Sequence, residues 1–294
     1  MDAYPSNFLG LGREQSGYES ARFAVLPVPY EATASYRGGT RLGPKAILDA
    51  SEDVERFDEE LAEEFHHCGI CTLDPLAPDQ SGPAAMHETV HRAACRILRD
   101  GKFLLTLGGE HGITPALVRA VAGKHKTLSV LQIDAHADLR DRYENTPYSH
   151  ACAMRRVLDH ARTIVPVGIR NVSREEHRFM RKAGIEPVTA RECFESDEWI
   201  DRVLDRLGAT VYITIDIDGF DPAVAPGTGT PEPGGIDWYQ AISLLRLVAA
   251  EKRIVAADVV EVAPIPGQVV TEFLAARLAY KLICYVQAAD QGKL

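Results

Sequence analysis

The sequence predicts an α/β fold, three-layer αβα, around a mostly parallel sheet of about eight strands. Three observations predict it. Short apolar runs alternate with stretches of helical spacing along most of the chain, which is the pattern of a parallel sheet covered on both faces. Gly, Pro and Ser punctuate the junctions between them. The polar residues with the most chemistry, His111, the 134–138 cluster, Asp216, Asp218 and Glu261, all fall just where an apolar run ends. Functional groups in such sheets gather beyond the carboxyl ends of the strands. With no linker, repeat or low-complexity segment, residues 1–294 read as one domain.

Residues 22–29 supply the first strand, and the Gly38-Gly39 loop leads to a helix over 44–51 that Pro44 suits at its first turn. The acidic stretch 53–65 reads as a loop or short helix, and Cys71 stands near a strand start. Val90, Ala94, Ile97 and Leu98 mark a long helix over 83–99, which Gly101 ends. A strand over 102–107 runs into Gly108-Gly109-Glu110-His111, and Pro115 opens a helix to about 122. The run Leu128–Ile133 is a buried strand that enters the Asp134–Asp138 cluster. After the polar 139–148 loop, Ser149 caps a helix; a strand follows over 163–169. Ser173 with Glu176 forms a capping box for a helix over 173–183. A short strand over 185–188, a serine-capped helix over 196–207 and a strong strand over 210–217 come next. The Pro/Gly segment 222–235 is too long for a mere connector. A helix over 237–250, a strand over 253–261 and a helix over 271–288 close the chain.

Charge and composition exclude some classes. The balance 32 − 42 = −10 argues against nucleic acid as the main partner. It is compatible with a small cationic substrate. No run of about 18 apolar residues exists to span a membrane, and the polar Met1–Ser20 segment lacks the apolar core of an export signal. The six cysteines are therefore expected to be reduced thiols in a cytoplasm, and Cys68-Gly-Ile-Cys71 reads as two packed thiols, since zinc would want a second pair.

The chemistry concentrates in Asp134-Ala135-His136-Ala137-Asp138, where three donors share one side of an extended chain. His111, Asp216 and Asp218 bring the candidate metal ligands to six. Six donors are too many for one tetrahedral ion, and carboxylate with imidazole suits hard or borderline divalent cations. Taken singly, a histidine after Gly-Gly is an ordinary loop residue, and strand-end aspartates are commonly turn formers. Burying several carboxylates together without a cation would be costly, so the set points to a pair of ions sharing bridging carboxylates.

The segments Gly108–His111, Asp134–Asp138 and Asp216-Ile217-Asp218-Gly219-Phe220-Asp221-Pro222 together resemble the arginase/agmatinase (ureohydrolase) family. The resemblance extends from Gly39–Pro44 to Ala276–Tyr280, and Tyr148–Cys152 and Gly229–Gly235 look more like agmatinases than arginases. It implies an arginase-like fold, two Mn(II) ions and a homotrimer or homohexamer. One ion would be held by His111, Asp134, Asp138 and Asp216, the other by His136, Asp134, Asp216 and Asp218, with Asp134 and Asp216 bridging. A metal-bridging hydroxide would attack a guanidinium carbon, releasing urea and an amine. Glu261 would pair with the guanidinium and His150 would carry a proton to the leaving amine, a task suited to a pKa near working pH. Glu232 is a charge-based candidate for the far amine of agmatine.

Two departures bear on this. The family usually has Asp where Glu110 stands, and little effect is expected of that change. Ser173 stands where arginases carry an acidic group for an α-amino substrate, which favours a decarboxylated guanidino compound. Agmatine leads the substrate readings; N1-aminopropylagmatine and guanidinobutyrate follow. Two other classes are weaker. A non-catalytic binding relative would have lost ligands, and a dinuclear phosphoesterase would carry an Asn-His pair that this chain lacks.

Overall fold

Runs of Val, Ile and Leu with no polar side can be satisfied only between two covering layers, and that is where they lie. The computed structural model describes residues 6–294; the first five residues of the Met1–Ser20 segment lie outside it. In chain order the elements are α1 (Arg13–Ser16), β1 (Phe23–Val28), α2 (Gly43–Ser51), β2 (Phe57–Asp58), β3 (Glu63–Glu64), β4 (Ile70–Thr72), α3 (Pro83–Arg99), β5 (Phe103–Gly108), α4 (Thr114–Ala122), β6 (Leu128–Ile133), α5 (Ala153–Val157), β7 (Thr163–Ile169), α6 (Arg174–Ala183), β8 (Val188–Thr189), α7 (Ala190–Glu195), α8 (Trp199–Arg206), β9 (Thr210–Asp216), α9 (Trp238–Glu251), β10 (Arg253–Val260) and α10 (Val270–Asp290).

Eight strands form one sheet in the order β4-β1-β5-β10-β9-β6-β7-β8, and every neighbouring pair in it is parallel. Alternate residues of each strand feed opposite cores. Phe23, Val25, Leu105, Leu107, Ile213 and Ile215 face the layer of α8, α9 and α10. Ala24, Leu26, Leu104, Val130, Tyr212 and Ala256 face α3, α4 and α5.

The structure departs from the sequence reading at four places. The acidic 53–65 stretch is a two-strand antiparallel ladder, β2 with β3. It delivers Asp58 and Glu60 to the buried Lys281 of α10, at 3.0 and 3.1 Å. Ser149 has the extended backbone of a cap but makes no capping hydrogen bond, because the chain enters a 3-10 turn over His150–Cys152. The short strand is Val188–Thr189, not 185–188. The helix expected over 196–207 is α8 alone, Trp199–Arg206, and Ser196 does not cap it: it is the extended residue that ends a preceding helix, α7, which the sequence reading lacked. The capping box of Ser173 and Glu176 is present as expected.

The ends of β5, β10, β9 and β6 are adjacent at the middle of the sheet. Register puts Val260 beside Asp216 and Ile133 beside Ile215, so the loops after these strands emerge at one level.

Candidate metal centre

His111 arrives on the turn after β5 and is fully buried. Its Nε2–H donates to Thr214 Oγ1 at 2.9 Å, and that hydroxyl donates to Asp258 Oδ1 at 2.6 Å. Tyr212 Oη and Thr114 Oγ1 donate to the other oxygen of Asp258. The proton on Nε2 leaves Nδ1 as a bare lone pair. Nδ1 is buried and has no hydrogen-bond partner among the described residues. It lies 3.2 Å from Asp134 Oδ2, 3.0 Å from Asp138 Oδ2 and 3.5 Å from Asp216 Oδ2. A lone pair and three carboxylate oxygens converging without hydrogen bonds between them are the donors of a cation site.

A second group adjoins it. His136 Nδ1 is 3.0 Å from Asp218 Oδ2 and 3.7 Å from Asp134 Oδ1. Asp134, His136 and Asp218 form one possible metal-holding group; His111, Asp134 and Asp216 form the other. Asp134 belongs to both. Asp216 belongs to the first, while its Oδ1 accepts from the Asp218 backbone N–H at 3.0 Å. The set is oriented from behind, as ligands generally are. Gln132 Nε2 and the His136 N–H donate to Asp134, and the Ala135 N–H donates to Asp218 Oδ1.

The local backbone is not relaxed. Asp138 has φ 51° and Glu261 has φ 64°. Non-glycine residues hold this conformation when their surroundings impose it, often at functional sites. The Glu261 N–H donates to Gly109 O, and its Oε1 accepts from the His111 N–H at 2.6 Å.

Burial and mutual repulsion govern the charges. Burial, then the charge of Asp134, pushes Asp138 up to about 7. Asp216 is raised well above the usual carboxylate range, by burial first and then by Asp218, Asp134 and Glu261. Glu261 is raised by burial, with Glu110 and Asp218 adding to it. Burial works against the charged form of Asp134, but its contacts with the imidazoles of His111 and His136 win and lower it. Such a cluster lacks positive charge, which divalent cations would provide.

A cavity of about 190 Å³ opens beside these groups, lined by Ser35, His136, Asp138, His150, Asn171 and Glu232 among others. His150 is oriented by Thr33 and Ser35. Burial first, then His111 and His136, lowers it to about 4, so it is neutral at pH 7 and does not have the near-neutral pKa expected. Glu232 accepts from Asn171 Nδ2 and lies 3.8 Å from His136 Nε2. The six candidate ligands, His150, Glu232 and Glu261 therefore lie in or against one region.

Some residues the sequence did not single out. Arg170, beyond β7, donates to Asp218 O, Phe220 O, Glu232 O and Pro233 O, stapling the two ends of the Pro/Gly loop together. Thr33 and Ser35 come from the loop after β1. A lone arginine after a strand and hydroxyls in a loop carry no local signal for such roles. Among the described residues all six cysteines are free, and burial pushes Cys68 up to about 11.

Over 286 residues the chain is 41% identical to N(1)-aminopropylagmatine ureohydrolase of Synechocystis sp., covering 95% of this chain and 94% of that one. It is 33% identical to agmatinase of Bacillus anthracis, over 86% and 87% of the two chains. The crystal structure of agmatine ureohydrolase of Thermoplasma volcanium superposes with a TM-score of 0.86 at 32% identity, over 94% of each chain. The Arginase family model matches residues 21–284, which span all the donors above and every strand of the sheet. With that match laid over a parallel sheet whose central strand ends converge on buried carboxylates and imidazoles, the chain belongs to the arginase family.

Proposed function

We propose that this chain is an agmatinase-type ureohydrolase, a hydrolase of linear amidines that takes a small cationic guanidino compound and releases urea and an amine. The observation that carries the reading is the orphaned Nδ1 of His111 facing Asp134, Asp138 and Asp216, with the His136 group sharing Asp134. Two Mn(II) ions fit this donor set: His111, Asp134, Asp138 and Asp216 would hold one, and His136, Asp134, Asp216 and Asp218 the other. Carboxylates and imidazoles without thiolates support that choice of metal. Bound there, the ions supply a water that is nucleophilic near neutral pH.

The chain's own residues do the rest. A guanidinium is resonance-stabilised, so it must be held and oriented as well as attacked. Glu261 is a buried carboxylate able to meet its planar donors. His150, neutral at pH 7, accepts a proton before it can give one, and the leaving amine is the group that needs it. Glu232 offers negative charge to a distal amine, held in place through Asn171 and the Arg170 staple.

For the substrate tail, agmatine giving putrescine is the first reading. N1-aminopropylagmatine is the second, favoured by the 41% identity to the Synechocystis enzyme of that name. The net charge of −10 supports a cationic ligand rather than nucleic acid, and among the described residues no helix is long and apolar enough to cross a membrane. We read residues 1–294 as one catalytic domain working in a cytoplasm as a homotrimer or homohexamer. Exposed Phe194 and Tyr239, at 86% and 74%, are surface that assembly would cover.

The test is urea release from agmatine and N1-aminopropylagmatine with added Mn(II). Asp134→Ala should abolish it, since that residue belongs to both groups. Undiminished turnover in this variant would end the proposal, and the ratio of kcat/KM for the two substrates assigns the tail.

A further inference from the structure

Glu110 lies outside both ligand groups, and its presence in place of Asp was expected to matter little. Its carboxylate nevertheless has built surroundings of its own. The side chain is buried, 1% exposed, one residue before His111. Its Oε2 accepts from the backbone N–H groups of Ala32 and Thr33, both at 2.7 Å. Its Oε1 accepts from the Thr33 hydroxyl at 3.1 Å. Gly112 leaves it room: a Cβ there would sit 2.9 Å from Glu110 Oε1.

Thr33 connects this carboxylate to His150. Its Oγ1 accepts from the His150 backbone N–H at 3.1 Å and lies 3.2 Å from His150 Nδ1. A hydroxyl has one proton and two lone pairs. The proton goes to Glu110, one lone pair takes the backbone N–H, and the second faces Nδ1. Only a protonated Nδ1 satisfies that arrangement. The other ring nitrogen, Nε2, is then bare. It accepts from Ser35 Oγ at 3.4 Å on the cavity side.

We infer that Glu110 is a positioning residue which, through the Thr33 hydroxyl, fixes both the place and the tautomer of His150, so that the unprotonated Nε2 faces the substrate cavity. The inference rests on the proposed role of His150 as proton carrier. A carrier with Nε2 already protonated could not take up a proton from the cavity before giving one, so the wrong tautomer would idle the residue without disturbing substrate or metal.

Replacing Glu110 by Gln keeps the shape and the acceptor for the Ala32 and Thr33 N–H groups. Its amide would donate to Thr33 Oγ1, and the hydroxyl proton would turn to His150 Nδ1. Glu110→Gln and Thr33→Val should each lower kcat about tenfold or more, leave KM within about twofold and leave the metal content unchanged. Thr33→Ser, which restores the hydroxyl, should return kcat to within about threefold of the parent. The direct readout is 15N NMR of imidazole-labelled protein loaded with diamagnetic Zn(II). His150 should carry its proton on Nδ1 in the parent and on Nε2 in Glu110→Gln. A parent with the proton on Nε2, or parental kcat in both Glu110→Gln and Thr33→Val, overturns the inference. If His150→Gln loses turnover while those two keep it, this inference alone falls. If His150→Gln also turns over normally, the role of His150 falls with it.

Discussion

At the scale of single residues, the site depends on which lone pairs are left free. The Nδ1 of His111 is available because Thr214 takes the proton on Nε2, and Thr214 can do so because its own hydroxyl proton goes to Asp258. The candidate ligands were legible in the sequence, since Asp and His at alternating positions after an apolar run have few bland explanations in combination. Thr33, Arg170 and the support from Asp258 were not. Thr33 acts on His150 across 117 positions of sequence, and no local pattern encodes a contact made by two loops that meet only in the fold. Backbone strain is equally hidden. Asp138 at φ 51° turns its carboxylate toward His111 Nδ1 from a conformation in which Asn is tolerated and Ala is penalised. Asp138→Asn and Asp138→Ala should both weaken metal retention in dialysis followed by elemental analysis. In chelator, where the ligand role is absent, Asp138→Ala should be less stable than Asp138→Asn by about 1 kcal/mol in urea melts. Equal stabilities would mean that the loop relaxes to negative φ once the aspartate is gone.

At the scale of elements, apolar periodicity located most strands and helices, and capping chemistry held where the chain stayed helical, as at Ser173. It failed at Ser149 and Ser196, where the same residue type meets a 3-10 turn and a helix end. A cap needs a helix that continues past it, and that depends on packing. The ladder of β2 with β3 was missed because two-residue strands have no period, and it is held by the buried Lys281 far along the chain. Helix α3 shows what an element does for the site. Its His87 is buried, and Nε2 is 2.5 Å from Gly112 O, next to His111. The ring packs edge-on against Tyr148 at 4.7 Å. Burial lowers this imidazole from 6.5 to about 4. A depressed histidine favours the neutral form, so the unfolded chain binds the proton more readily between these values. The contribution is present in full above pH 6.5 and is lost as pH falls toward 4. By pH 5 the loss is about 2 kcal/mol. Urea melts at pH 7 and pH 5, with metal saturating, should therefore show a smaller pH dependence in His87→Gln than in the parent, by about that amount. An identical pH dependence would mean that His87 titrates in the folded state as it does in the unfolded chain.

At the scale of the whole molecule, the sheet and its two covering layers were legible from alternation of element types, while the strand order was not. The late strands β9 and β10 insert between β6 and β5, an arrangement decided by long-range pairing. It has an energetic consequence. The donors come from the ends of β5, β6 and β9, segments that share a site only when the sheet is assembled. The unfolded chain has no such site, so any metal held there would add directly to folding stability. Without cations, Asp138, Asp216 and Glu261 sit buried and repelled; with them, that repulsion becomes attraction. Chelation should lower Tm, and adding Mn(II) back should restore it at fixed protein concentration. The dependence on free metal also counts ions. Well above Kd, each tenfold rise in free Mn(II) adds about 1.4 kcal/mol for one bound ion and about 2.7 kcal/mol for two. A slope near the larger value in denaturant melts over a series of buffered Mn(II) concentrations supports a binuclear centre. A slope near the smaller value would leave His136 and Asp218 without an ion of their own, and a flat line would remove the metal from the fold altogether.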